Sequence, residues 1–130
     1  MSTLTWIAGA VVVAFALAQV VFAVATWVAR EPSERFVLAF ASTPRAHFTE
    51  QALRLVAGTA FILFAPEMRW PLIFQLFGWI LIVTSALLLV LPWRWHRWFA
   101  QKVLPPVVRH LRLFSLVALG LGGFVLWAVF

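Results

Sequence analysis

Any catalysis or metal binding by this chain would rest on three histidines, four glutamates and a few hydroxyls, because cysteine, aspartate and tyrosine are absent. His47 and Glu50 stand one helical turn apart, and a neutral imidazole beside a carboxylate is ordinary metal-ligand chemistry. However, His47, His96 and His110 occupy separate loop regions, no His-x-x-His or Glu-x-x-His pair occurs, and no histidine falls inside an apolar span. Without a thiol, disulfides, thiolate metal sites and a cysteine nucleophile are excluded. Ser33, Ser42 and Thr43 have no nucleophile–base spacing to Glu31, Glu34 or Glu50. The expectation is therefore no metal, no haem or other cofactor, and no enzyme activity.

A second kind of chemistry is carried by Pro92-Trp93-Arg94-Trp95-His96-Arg97-Trp98, where indoles alternate with cations. Such a pattern stacks on single-stranded nucleic acid or lies along a bilayer surface, with indoles among headgroups and cations on phosphates. On a helix, Trp95, Trp98 and Phe99 share one side, and Arg94, Arg97 and Gln101 the other. Lys102 lies under the aromatic side, with a stem long enough to snorkel. The surrounding composition decides between the two solvents.

The chain of 130 residues is 65% hydrophobic and 11% charged, with mean hydropathy +1.02. Average soluble domains are about 45–50% apolar and about 25% charged, so a water-soluble fold could not hide this much apolar surface. The reading is an all-α integral membrane protein. Its formal net charge of +6 comes from ten Lys/Arg against four Glu, all between long apolar runs. Anionic lipid is therefore the expected partner rather than nucleic acid, and the tryptophan-rich segment is read as an interfacial helix. A partner protein, where Trp and Arg are enriched, is its other reading.

Four spans are expected. Leu4 to Val28 is uncharged and, at about 1.5 Å per residue, exceeds the roughly 30 Å hydrocarbon core. The N-terminus lacks the basic start of a signal peptide, so this run is read as a retained helix. Phe36, Val37 and Phe40 then give a short interfacial apolar face. Thr43-Pro44 starts a helix over 45–65, ended by Pro66; its first turns carry Arg45, His47, Glu50 and Arg54, so only its later part is lipid-buried. Pro66 to Pro71 is a tight turn, and the third span covers 72–91. Pro105-Pro106 punctuates again, and the last span covers about 107–130, uncharged only after Arg112.

Nine of the ten cations fall in the stretches Arg30–Arg54 and Arg94–Arg112. By the positive-inside rule these two loops are cytoplasmic, and both termini are periplasmic together with the short turn at Arg69.

The halves resemble each other: Pro32, Arg35-Phe36, Pro44 and Leu53-Arg54-Leu55 answer to Pro92, Arg97-Trp98, Pro105 and Leu111-Arg112-Leu113. The expected organisation is thus two tandem helix hairpins, 1–65 and 66–130, related by an axis along the membrane normal. Amphipathic interfacial segments lie on their cytoplasmic side. In the second unit Pro92-Trp93-Arg94-Trp95, Leu104-Pro105-Pro106, Leu111-Arg112 and Gly122 follow a recognisable order. From Leu72 to Phe130 the chain resembles the YjeT-like small bacterial inner-membrane proteins, helix hairpins of uncharacterised function. The resemblance implies a bacterial inner membrane and no chemistry. It departs where such proteins often carry Glu-Gly in the first helix, since Thr84-Ser85 stands there.

The functional expectation is a small accessory or scaffold subunit of an inner-membrane assembly, with an oligomeric small-molecule or lipid transporter as the alternative. Arg54, Arg94, Trp95, Arg97, Trp98 and Arg112 are the expected lipid or partner contacts. Ala10, Ala14, Gln19, Ala118 and Gly122 are the expected helix-packing residues, because small residues let helices approach closely in lipid.

Overall fold

The computed structural model describes Met1–Phe130 as six helices without strands: α1 Thr3–Val28, α2 Arg30–Leu38, α3 Pro44–Phe64, α4 Pro71–Val90, α5 Trp93–Arg109 and α6 Leu111–Val129. Four of them, α1, α3 with the 3₁₀ turn Ala65–Glu67 that follows it, α4 and α6, are long and apolar enough to cross a membrane. The short α2 and the amphipathic α5 lie at the end where the cations gather, called here the basic end. The opposite, turn end holds both termini and the α3–α4 connection.

Local chemistry sets the helix boundaries. Ser2 Oγ accepts from the Thr5 N–H at 3.1 Å, and Thr43 Oγ1 accepts from the Ala46 N–H at 3.1 Å, each satisfying a first-turn donor. Pro44 and Pro71 occupy first helical positions, where a missing N–H costs nothing. Trp70 enters α4 with φ 63°, in the left-handed region that a bulky side chain rarely adopts. The turn is held from outside: the Arg69 N–H donates to Ala128 O at 2.9 Å, and its guanidinium lies 4.9 Å from the Trp127 ring centroid.

One boundary differs from the sequence expectation. The last span does not begin at Val107; α5 runs through Pro105 and Pro106 to Arg109, and the break falls at His110, with φ −110° and ψ 32°. Proline's own φ is helical, and what it removes is the bond its nitrogen would have made. The following turn recovers, with the His110 N–H donating to Pro106 O at 3.2 Å.

Helix α1 is central, packing against α3 on one side and α6 on the other, while α4 packs against α3. The approaches are close because glycines sit at them. A Cβ added to Gly58 would stand 2.8 Å from Gly78 O, and one added to Gly122 would stand 2.7 Å from Ala16 O. The core is continuous across both halves of the chain, from Val12 and Ala16 through Phe61 and Phe64 to Phe74 and Val125. Aromatic rings fill it: Phe61 lies edge-on to Phe15 at 5.3 Å and to Phe77 at 4.9 Å, and Phe74 stacks on Phe124 at 5.3 Å.

The small-residue stripe of α1 is corrected for packing within the chain. Ala10 and Ala14 are exposed, and the buried face is instead Ala8, Gly9, Val12, Ala16, Ala23 and Thr26. At 100° per residue the two stripes point apart, and the second faces α3 and α6: a Cβ added to Gly9 would meet the Phe64 ring at 2.8 Å, and Ala16 O lies against Gly122. Gln19 and Gly122 lie at the α1–α6 contact, where a Cβ on Gly122 would meet Gln19 Cβ at 3.1 Å. Ala118 is half-buried one turn away.

Candidate functional site

A polar cluster sits at the basic end where α3, α4 and α5 meet. His47 and Gln51 lie four residues apart and so project from one face of α3. Both are fully buried. His47 Nδ1 is hydrogen-bonded to His96 Nδ1 of α5 at 2.7 Å, so one ring donates and the other accepts. On the next turn, Arg54 Nε donates to Ser85 Oγ of α4 at 2.9 Å, and its Nη2 donates to Thr84 Oγ1. Arg54 Nη1 also stands 3.9 Å from Glu50 Oε1, longer than a hydrogen bond. Glu50 Oε2 and both amide atoms of Gln51 are buried without a partner.

Burial first, and then the nearby Arg54 guanidinium, hold the His96 imidazole below its ordinary value of 6.5. Desolvation disfavours the charged ring, and a neighbouring cation does so again. No three His, Cys, Asp or Glu side chains converge here as a metal-ligating group, and Arg54 sets a positive charge beside the two imidazoles. Nor does any serine or threonine hydroxyl bond a histidine or glutamate: Ser85 and Thr84 receive Arg54, and Ser115 receives the Trp27 indole N–H at 3.0 Å.

Helix α5 has three faces rather than the two that helical spacing suggested. Trp93, His96 and Ala100 form the docking face. The Trp93 indole N–H donates to Ala41 O at 3.2 Å, pinning a turn in which Ala41 has φ 56°. A left-handed alanine costs about 1–2 kcal/mol, so an outside anchor here matters. Arg97 folds back toward this face, 5.7 Å from the Trp93 ring. Trp95, Trp98 and Phe99 point outward, at 63%, 62% and 58% exposed, with Lys102 Nζ 5.8 Å from the Trp98 ring. Arg94 is exposed.

Arg54 and Arg112, which sequence placed in matching positions, differ in depth. Arg54 lies in the third turn of α3, whereas Arg112 is the second residue of α6. Arg112 is exposed and stacks 5.0 Å from the Trp27 ring. His110 is exposed at the α5–α6 break.

The meeting of His47 with His96 corrects the expectation that the histidines lie apart. No local motif could have shown it, since 49 residues separate them. Gln51 and Ser85 were also missed as members of the cluster, although the spacing of Gln51 from His47 was a usable signal.

No family model, curated protein or solved structure matches the chain.

Proposed function

We propose that this protein is a small accessory or scaffold subunit of a bacterial inner-membrane assembly, bound by anionic lipid at its cytoplasmic basic end. The observation that carries the reading is the outward face of α5. Docked through Trp93, His96 and Ala100, the helix leaves Trp95, Trp98 and Phe99 exposed, with Arg94 and Lys102 beside them. Indoles and long basic side chains suit a headgroup boundary. The exposed Ala10 and Ala14, unused by the chain's own helices, suit the close approach of a partner helix. In the same reading both termini are periplasmic and the segment Leu72–Phe130 belongs with the YjeT-like proteins; within that segment, however, α4 packs mainly on α3 and α6 mainly on α1 rather than on each other.

The transporter alternative is favoured by a different observation, the half-buried Glu50 and Arg54 beside the buried Gln51 near the end of a span, since ionisable groups at membrane depth mark substrate or proton paths. Mild-detergent extraction followed by mass spectrometry separates the two. A subunit is recovered with a fixed, different partner at constant stoichiometry. Recovery of only this chain, as a homo-oligomer, overturns the subunit reading in favour of the transporter.

A further inference from the structure

A groove of about 590 Å³ runs along the basic half of the bundle between α1, α2, α3 and α4. This lies within the range of about 300–1,000 Å³ typical of ligand pockets. Its lining changes character along its length. Toward the middle of the bundle the walls are Phe15, Ala57 and Leu81, and at the basic end they are Arg45, Glu50 and Arg54. The polar and apolar ends follow the direction of the helices, as the head and chains of a lipid in a bilayer leaflet do.

Charge narrows the occupant. Two guanidinium groups against one carboxylate leave the groove with one net positive charge. Arg54 is held in place by Ser85 and Thr84, with its side chain 30% exposed, so little ordering is left for a ligand to impose. Arg45 stands at the exposed rim. Glu50 lacks a close donor: its Oε1 is 3.9 Å from Arg54 Nη1, and Oε1 is the oxygen open to a groove ligand, since Oε2 is buried. A phosphodiester satisfies the arginines, and headgroup hydroxyls supply donors to the glutamate without adding positive charge. A zwitterionic ammonium headgroup would leave the extra cation unneutralised, and a choline headgroup has no hydrogen-bond donor.

We propose that this groove is a stoichiometric site for one phospholipid with a single net negative charge and a hydroxylated headgroup. The proposal deepens the anionic-lipid reading of the basic end and rests on it, but it concerns a lipid held between helices, not lipid lying under α5. Basic pockets between spanning helices are suited to anionic headgroups.

The test uses the full chain in nanodiscs of equal parts phosphatidylglycerol, phosphatidylethanolamine and phosphatidylcholine, released into mild detergent for native mass spectrometry. One phosphatidylglycerol should be retained per chain, favoured over phosphatidylethanolamine by about fivefold, the worth of one cation near an anionic lipid. Arg45→Gln should reduce retention by a similar factor. Leu53→Trp adds bulk to an exposed groove residue and should also displace the lipid. Thermal unfolding, unchanged in both variants, shows that the fold is intact. Lipids retained in proportion to supply, or variants that hold phosphatidylglycerol as wild type does, overturn the site. The α5 reading has its own readout, the shielding of a probe at Gln101 from aqueous quenchers in anionic against zwitterionic nanodiscs. Arg94→Gln with Arg97→Gln should alter that shielding while leaving the single retained lipid in place.

Discussion

His47 Nδ1 and His96 Nδ1 meet at 2.7 Å, joining the long apolar α3 to the amphipathic α5. The contact has a proton requirement. One ring must present a lone pair to the other's N–H, so the pair tolerates one imidazolium but not two. The charged groups that act on it are Glu50 and Arg54 of α3, and α4 contributes the Thr84 and Ser85 hydroxyls that hold Arg54.

This gives a pH dependence of known sign. His96 is held below 6.5 in the folded chain, so over the window just below 6.5 the unfolded state binds more protons than the folded one. Stability therefore rises with pH through that window, is lost as pH falls below 6.5, and gains nothing more from this group above it. Melting temperature in detergent, measured at a series of pH values, should show this slope in wild type and a flatter profile in His96→Gln, which keeps a donor and an acceptor. Superimposable profiles would remove His96 as the titrating group.

The four long apolar helices were legible because their signal is local and strong: apolar runs bounded by Pro, Ser or Thr specify where helices begin and end whatever they pack against. The polar cluster was not, because it forms only when α3, α4 and α5 come together. Ser85 reads as one hydroxyl in an apolar run until Arg54 reaches it from α3. The choice of face on α1 was equally hidden. Ala10-Ala14 and Ala8-Val12-Ala16 are both small enough to pack, and only the position of α6 decides between them.

The glycines make a controlled comparison of this packing. A Cβ on Gly78 would stand 2.6 Å from Gly58 O, and one on Gly122 2.7 Å from Ala16 O, whereas those on Gly120 and Gly123 meet nothing within 4 Å. Both tight contacts are with backbone, which cannot rotate away. Gly78→Ala and Gly122→Ala should each destabilise by about 1–3 kcal/mol, the usual cost of overpacking. Gly120→Ala and Gly123→Ala should be neutral or stabilising by up to about 1 kcal/mol, because alanine is the better helix former. Thermal unfolding of the four single variants decides the matter. Equal effects at all four sites would mean that the α3–α4 and α1–α6 approaches are looser than described.

The last prediction concerns Gln51, which is 0% exposed with neither amide atom hydrogen-bonded. An unsatisfied buried polar group costs about 1–3 kcal/mol, and here there is both a donor and an acceptor. Methionine has nearly the same length and flexibility without those groups, and volume-conserving exchanges are well tolerated in cores. Gln51→Met should therefore raise the melting temperature in detergent. Gln51→Ala should not, because truncation leaves a cavity at a fully buried position. If Gln51→Met instead lowers stability, the amide is bonded in the membrane-embedded protein. The cluster around His47 and Arg54 is then a connected polar network whose members should be tested together by double-mutant cycles. If the variant is more stable yet loses its partner or its retained lipid, the unpaired amide is kept at a cost in stability for its role in binding.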